Sequence, residues 1–151
     1  MKIEIYQPQA IWELGQRNNQ EDSIFPAFGE ATDDDRLFIL CDGMGGHEHG
    51  EVASQTVCKA MSDTLLSLSK QSFTDDDLLD ALQTAYRQLD CLDNSHLRKM
   101  GTTLCLLYFH QGGLTAAHIG DSRIYHIRPK ENRILYQSRD HSLVYDLYQA
   151  G

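Results

Sequence analysis

The spacing of hydrophobic positions changes twice along the chain, and the changes divide it into three stretches. Up to residue 41, short apolar or alternating runs bounded by polar turns predict strands over 3–6, 11–16, 23–28 and 36–41, with a turn over 29–35. The period then becomes helical: Val52, Ala53, Val57, Ala60, Met61, Leu65 and Leu68 fall on one face. Leu78, Leu82, Ala85, Tyr86, Leu89 and Leu92 do the same in a second helix. Its start is marked by Thr74 and three aspartates, a cap followed by carboxylates that favour the positive end of the helix dipole. Alternation resumes over 102–110, where both faces are largely apolar, as in a strand covered on both sides. Gln111-Gly112-Gly113 reads as a hairpin turn, strands follow over 114–119, 122–128 and 133–138, and 142–150 looks like a helix start. Strands, two helices, then strands predict an α+β domain with helices packed on antiparallel sheets.

With 151 residues the chain is long enough for one domain with its own core. No apolar run reaches the roughly 20 residues of a membrane span. The first residues, Met1 to Tyr6, lack the long apolar region and small-residue cleavage site of a secretory signal, so a cytoplasmic protein is expected. A formal charge of −9 disfavours nucleic acid, whose phosphates it would repel. It suits a site made of cation-binding carboxylates, and it suits solubility equally. Cys41, Cys58, Cys91 and Cys105 form no C-x-x-C pair, so they read as small buried hydrophobes in a reducing compartment.

The most informative stretch is Leu40-Cys41-Asp42-Gly43-Met44-Gly45-Gly46-His47-Glu48-His49-Gly50-Glu51. An apolar strand delivers Asp42 into a glycine-rich turn just before a helix, where backbone carbonyls and a ligand can come close. It is not a phosphate loop, since Glu51 stands where a P-loop lysine belongs, and Glu48 spoils the dinucleotide-binding fingerprint. Asp42 could grip a divalent metal, or the segment could be only a strand-to-helix connection. Glu21 and Asp22 are candidates for a second carboxylate on a neighbouring strand, or a solvated polar turn. Arg17 could hold two phosphate oxygens at once, or pair on the surface with Glu21 or Asp22. Asp121 could be a plain turn residue. His47 and His49 lack a third ligand for zinc, and Asp140-His141-Ser142 lacks a nucleophile elbow and reads as a helix cap at Asp140 or Ser142.

In order, these blocks resemble the metal-dependent Ser/Thr protein phosphatases of type 2C in their bacterial form. Arg17 to Asp22 resembles the family's R-x-x-N-x-D element. Asp42-Gly43-Met44-Gly45-Gly46-His47 with Gly50-Glu51 and Ala53-Ser54 resembles its D-G-M-G-G-H-x-x-G-E-x-A-S element. Gly101-Thr102-Thr103, Ile119 to Tyr125, and Asp140-His141-Ser142 resemble later blocks. The resemblance implies a β-sandwich of two mostly antiparallel sheets flanked by helices. It implies hydrolysis of phosphoserine and phosphothreonine on a phosphoprotein substrate, with a cognate Ser/Thr kinase as partner. It also implies two Mn2+ or Mg2+ ions and a third held more weakly. By the same resemblance Asp42 bridges two ions, the Gly43 carbonyl ligates one, Asp22 and Glu21 act through bound waters, Asp121 helps hold the third ion, and Arg17 binds the substrate phosphate.

Two departures qualify this. Met44 stands where eukaryotic members carry a histidine proposed as general acid, so that role falls to no residue here. The sequence ends before the family's second D-G and late D-N elements, which would make the chain the N-terminal part of a catalytic domain. The competing expectation is a non-hydrolysing module that binds a protein or phosphoprotein partner.

Overall fold

A computed structural model describes residues 3–44, 49–68, 73–92 and 99–141. Its elements are β1 (Asp22–Phe25), β2 (Leu37–Met44), α1 (Gly50–Leu66), α2 (Asp75–Leu92), β3 (Gly101–Thr102), β4 (Leu104–His110), β5 (Gly113–Ile119), β6 (Tyr125–Arg128) and β7 (Arg133–Gln137). One antiparallel sheet runs in the order β1-β2-β4-β5, with β3 pairing β2 beyond the end of β4. The hairpin β6–β7 forms a separate two-stranded sheet. The expected α+β class with antiparallel sheets is therefore what the chain adopts.

α1 lies directly on β1, β2 and β3, and α2 packs on α1. Their shared core contains Leu37, Ile39 and Cys41 from β2, Val57, Met61 and Leu65 from α1, Ala81 and Ala85 from α2, and Leu104 and Leu106 from β4. α1 buries the apolar face read from the sequence, whereas α2 turns Leu78, Leu82, Ala85 and Leu89 inward together with Ala81 and leaves Tyr86 and Leu92 exposed. The expected cap of α2 is a reciprocal box: Thr74 donates its N–H and its hydroxyl to Asp77 Oδ2 at 3.0 and 2.9 Å, and the Asp77 N–H returns to Thr74 Oγ1 at 3.4 Å. The aspartates at 33–35 make a turn, with Asp35 Oδ2 accepting from the Thr32 N–H at 2.7 Å. The turn between β4 and β5 is tight, with His110 paired to Gly113 across Gln111 and Gly112.

Two expected strands do not form. Residues 3–6 and 11–16 are irregular, and Tyr6 and Ile11 are exposed. Alternation specifies which face a strand presents, but a strand also needs a ladder partner, and β1 pairs only with β2 among the described residues. β1 runs only from Asp22 to Phe25, three residues short of the expected end at 28. The segment 122–124 is not strand either, and β6 begins at Tyr125. The expected helix start over 142–150 lies outside the described residues.

The sheet's outer face is less covered than the apolar composition of β4 implies. Ile24, Phe38, Leu40, Cys105 and Leu107 line a groove of about 300 Å³ there, closed on its other side by Pro8, Ala10, Arg123 and Ile124. Leu40 is 42% exposed, and Leu114 in β5 is 51% exposed. The two faces should respond differently to truncation. Leu106→Ala, at a fully buried position, should cost about 3 kcal/mol in chemical denaturation, and Leu114→Ala less than about 1.

Candidate metal and phosphate site

The alternation of β2 positions the site. Leu37, Ile39 and Cys41 point into the core beneath α1, so Asp42 emerges on the opposite face. Asp22 stands opposite Asp42 in the β1–β2 register, and the Gly43 N–H donates to the Glu21 carbonyl at 3.1 Å. The edge strand thus brings Glu21 and Asp22 to the end of β2.

Gly43 is required by close backbone approach. A Cβ there would lie 2.1 Å from the Gly50 carbonyl oxygen and 2.7 Å from that of Glu21. Gly50 opens α1, and a Cβ on it would meet the Glu21 carboxylate at 2.9 Å. The Glu21 side chain therefore lies against the first turn of α1, where the helix dipole favours negative charge.

Asp121 is held by a turn with several ties. Gly120 adopts φ 99°, a conformation that glycine takes without strain. The His141 N–H donates to the Gly120 carbonyl at 2.9 Å, and the His118 and His141 rings stack at 4.6 Å. Arg123 grips Asp140 with two hydrogen bonds of 2.7 Å. Both Asp140 oxygens are thereby engaged by Arg123, which depresses its carboxyl pKa; the helix that Asp140 or Ser142 was expected to cap lies outside the described residues.

Arg17, Glu21, Asp22, Asp42, Gly43 and Asp121 all line one cavity of about 520 Å³. The fold thus gathers every residue that the sequence nominated. Glu13 lines the same cavity and was not nominated, because it falls inside a segment expected to be strand. His47, Gly45 and Gly46 lie outside the described residues, and His49 precedes α1 rather than lining the cavity.

Among the described residues, five carboxylates and one guanidinium therefore share this space. The Asp42 carboxyl is pushed above its ordinary pKa, first by burial and then by Asp22 and Asp121, with Arg17 opposing. Hard oxygen donors with surplus negative charge fit a divalent cation such as Mg2+ or Mn2+. The fit is one of donor chemistry: among the described residues, no three His, Cys, Asp or Glu side chains close around a single point. The thiols do not compete. Cys41 and Cys58 are buried, and Cys41 is pushed up by its hydrogen bond to Cys58 and by burial. Burial pushes Cys105 up to about 11. Cys91 is exposed, contrary to the expectation that all four are buried.

The fold is an antiparallel sheet backed by two helices, with a carboxylate-rich cavity at one strand end. Residues 15–145 match the model of the protein phosphatase 2C family, and the chain belongs to that family. It is 34% identical over 130 residues to the serine/threonine phosphatase Stp of Listeria monocytogenes, covering 81% of this chain and 50% of that protein. Against the serine/threonine protein phosphatase PstP of Mycobacterium tuberculosis it is 35% identical over 145 residues, covering 89% of this chain and 25% of that protein. The structure of the PstP catalytic domain with two manganese ions superposes with a TM-score of 0.69 at 33% identity, covering 89% of this chain and 55% of that one. A phosphatase from Mycobacterium smegmatis in complex with cacodylate gives 0.68 at 27% identity, covering 99% and 56%. The chain spans about half the length of the Listeria relative it matches.

The raised Asp42 pKa has a consequence for stability. Ionising Asp42 is less favourable in the folded chain than in the unfolded one, so stability is lost as pH rises through the interval between the two pKa values. In the absence of cations, Asp42→Asn should raise the melting temperature at neutral pH. The gain should vanish below about pH 4, where the carboxyl is protonated in both states. Melting curves in chelator across this range check it, and a gain that persists at low pH would exclude charge as its cause.

Proposed function

We propose that the chain carries the phosphate-binding half and part of the metal-binding half of a protein phosphatase acting on phosphoserine and phosphothreonine in the cytoplasm. One observation carries this reading: a single guanidinium, Arg17, shares a cavity with Asp22, Asp42 and Asp121 in a chain of the protein phosphatase 2C family. Its similarity to the serine/threonine phosphatases Stp and PstP, and the two manganese ions in the PstP structure, support the reaction class and the cation.

In this reading Asp42 and the Gly43 carbonyl would hold the two divalent cations, Asp22 and Glu21 would act through bound waters, and Asp121 would help hold a third. A bound pair supplies Lewis-acid charge and a water that loses its proton near neutral pH. The rest belongs to the protein. Arg17 receives two phosphate oxygens in its planar fork and fixes the phosphorus in one orientation. The carboxylates around Asp42 repel a phosphate dianion, and bound cations would offset that charge while Arg17 attracts the phosphate. Met44 carries no titratable group, so the leaving serine or threonine takes its proton from another source.

Hydrolysis of a phosphothreonine peptide by an intact protein of the relatives' length should disappear with chelator and return with manganese. Activity that resists the chelator would exclude the metal mechanism. Residues 1–151 alone, with no three such ligands gathered among the described residues, should show negligible turnover, because a hard cation held by few carboxylates keeps most of its water and binds weakly. The same observation favours the second reading, a module that binds a phosphoprotein partner without hydrolysis, and brisk turnover from 1–151 would exclude that module.

Arg17→Ala separates the two halves of the site. It should raise KM about tenfold or more through loss of a charge-assisted bidentate contact. Manganese affinity by calorimetry should hardly change. An equal loss of manganese binding would make Arg17 an organiser of Glu21 and Asp22 instead.

A further inference from the structure

Between β3 and β4 the ladder to β2 is interrupted at one residue, Thr103, although the register continues through it. Gly43 pairs with Thr102 and Leu40 with Cys105, so Asp42 stands opposite Thr103. In an ordinary antiparallel pair these two would exchange backbone bonds in both directions. Here only one survives: the Thr103 N–H donates to the Asp42 carbonyl at 2.9 Å. The Asp42 N–H turns instead to the Thr103 hydroxyl, Oγ1, at 3.0 Å. Thr102 completes the exchange, its hydroxyl donating to the Asp42 carbonyl at 2.9 Å.

The Thr103 hydroxyl is 2.8 Å from Ser122 Oγ. Because Oγ1 already accepts from Asp42, its own proton is available for Ser122. Thr103 is 1% exposed, so water does not substitute for either partner. Its methyl group lies beside the same turn, where a Cβ on Gly120 would come within 2.7 Å of Thr103 Cγ2. One side chain therefore touches the backbone of Asp42 and both neighbours of Asp121.

We infer that Thr103 is a positioning residue that sets the spacing between Asp42 and Asp121. It trades a ladder hydrogen bond for a link between the strand that carries one carboxylate and the turn that carries the other. Its bearing on cation binding rests on the site proposed above, whereas the link itself does not. Thr102 leads to a weaker conclusion, because its hydroxyl reaches only the Asp42 carbonyl and the Thr103 carbonyl at 3.0 Å.

The test uses the full chain with Thr103→Val, which keeps the shape and removes the hydroxyl, and Thr103→Ser, which keeps the hydroxyl and removes the methyl. Amide hydrogen exchange is read at Asp42 and at residues 120–122, and manganese affinity by calorimetry. Thr103→Val should speed exchange at both places and weaken manganese about tenfold, since a buried N–H loses its acceptor. Thr103→Ser should stay close to wild type in both readouts. A merely structural residue would show the two variants equally impaired, and that result would overturn the inference. So would unchanged exchange at Asp42 in Thr103→Val. If Thr103→Val does not fold, Ser122→Ala decides: exchange should quicken at 120–122 and not at Asp42, and quickening at neither would overturn the link. If the wild-type chain binds no manganese, the metal reading fails while the exchange data still decide the link.

Discussion

The one-residue alternation of β2 governs where everything in the site can stand. Leu37, Ile39 and Cys41 are drawn under α1 by burial, and that commits Asp42 to the other face with no freedom to rotate away. A slip of one residue would bury a carboxylate in an apolar core, at a desolvation cost far above the gain from any single contact. The hydrophobic effect, which has no interest in cations, thereby fixes the position of a charged group. The β1 register then sets Asp22 against Asp42, and the Gly43 approach to Gly50 brings the start of α1 to the same place.

Such a cluster works against the fold that carries it. Like charges face one another across β1 and β2, and Asp22 and Asp121 add to the burial that raises the Asp42 pKa. The surrounding structure tolerates it because the backbone there is tied on several sides: Gly43 to Glu21, Asp42 to Thr102 and Thr103, and Ser23 to the buried Ser54 of α1 at 3.0 Å. Arg17 relieves part of the repulsion, yet among the described residues it is the only basic side chain lining the cavity. Surplus charge held rigid by neutral hydrogen bonds is the state in which a divalent ion gains most, since the protein need not reorganise to receive it.

Elements with a strong periodic signal were legible in the sequence. α1, α2, β2, β4 and β5 all follow from the spacing of their apolar residues, and the cap at Thr74 follows from side-chain chemistry. The strands expected over 3–6 and 11–16 failed because period alone cannot supply a ladder partner. That error also hid Glu13, which lines the cavity from an irregular segment. The nominated site residues were legible because each sits beside a glycine, a strand end or an arginine, local signatures of a turn that carries chemistry. Thr103 had no such signature. Its role depends on Asp42 and Ser122, residues 61 and 19 positions away, and only the folded register brings them together.

The same alternation sorts the donors by softness. Cys41 is adjacent to Asp42 in sequence and faces the opposite way, packed against Cys58 with its thiol kept protonated. A thiolate at the cavity would recruit zinc or other soft ions in preference to harder ones. Cys105 does lie on the outer face, but burial raises its pKa and its sulfur is 3.2 Å from the Ser122 carbonyl, so it too stays neutral. Among the described residues, no cysteine lines the cavity that holds Asp22, Asp42 and Asp121. One step along β2 separates a hydrophobe of the core from a carboxylate of the cavity.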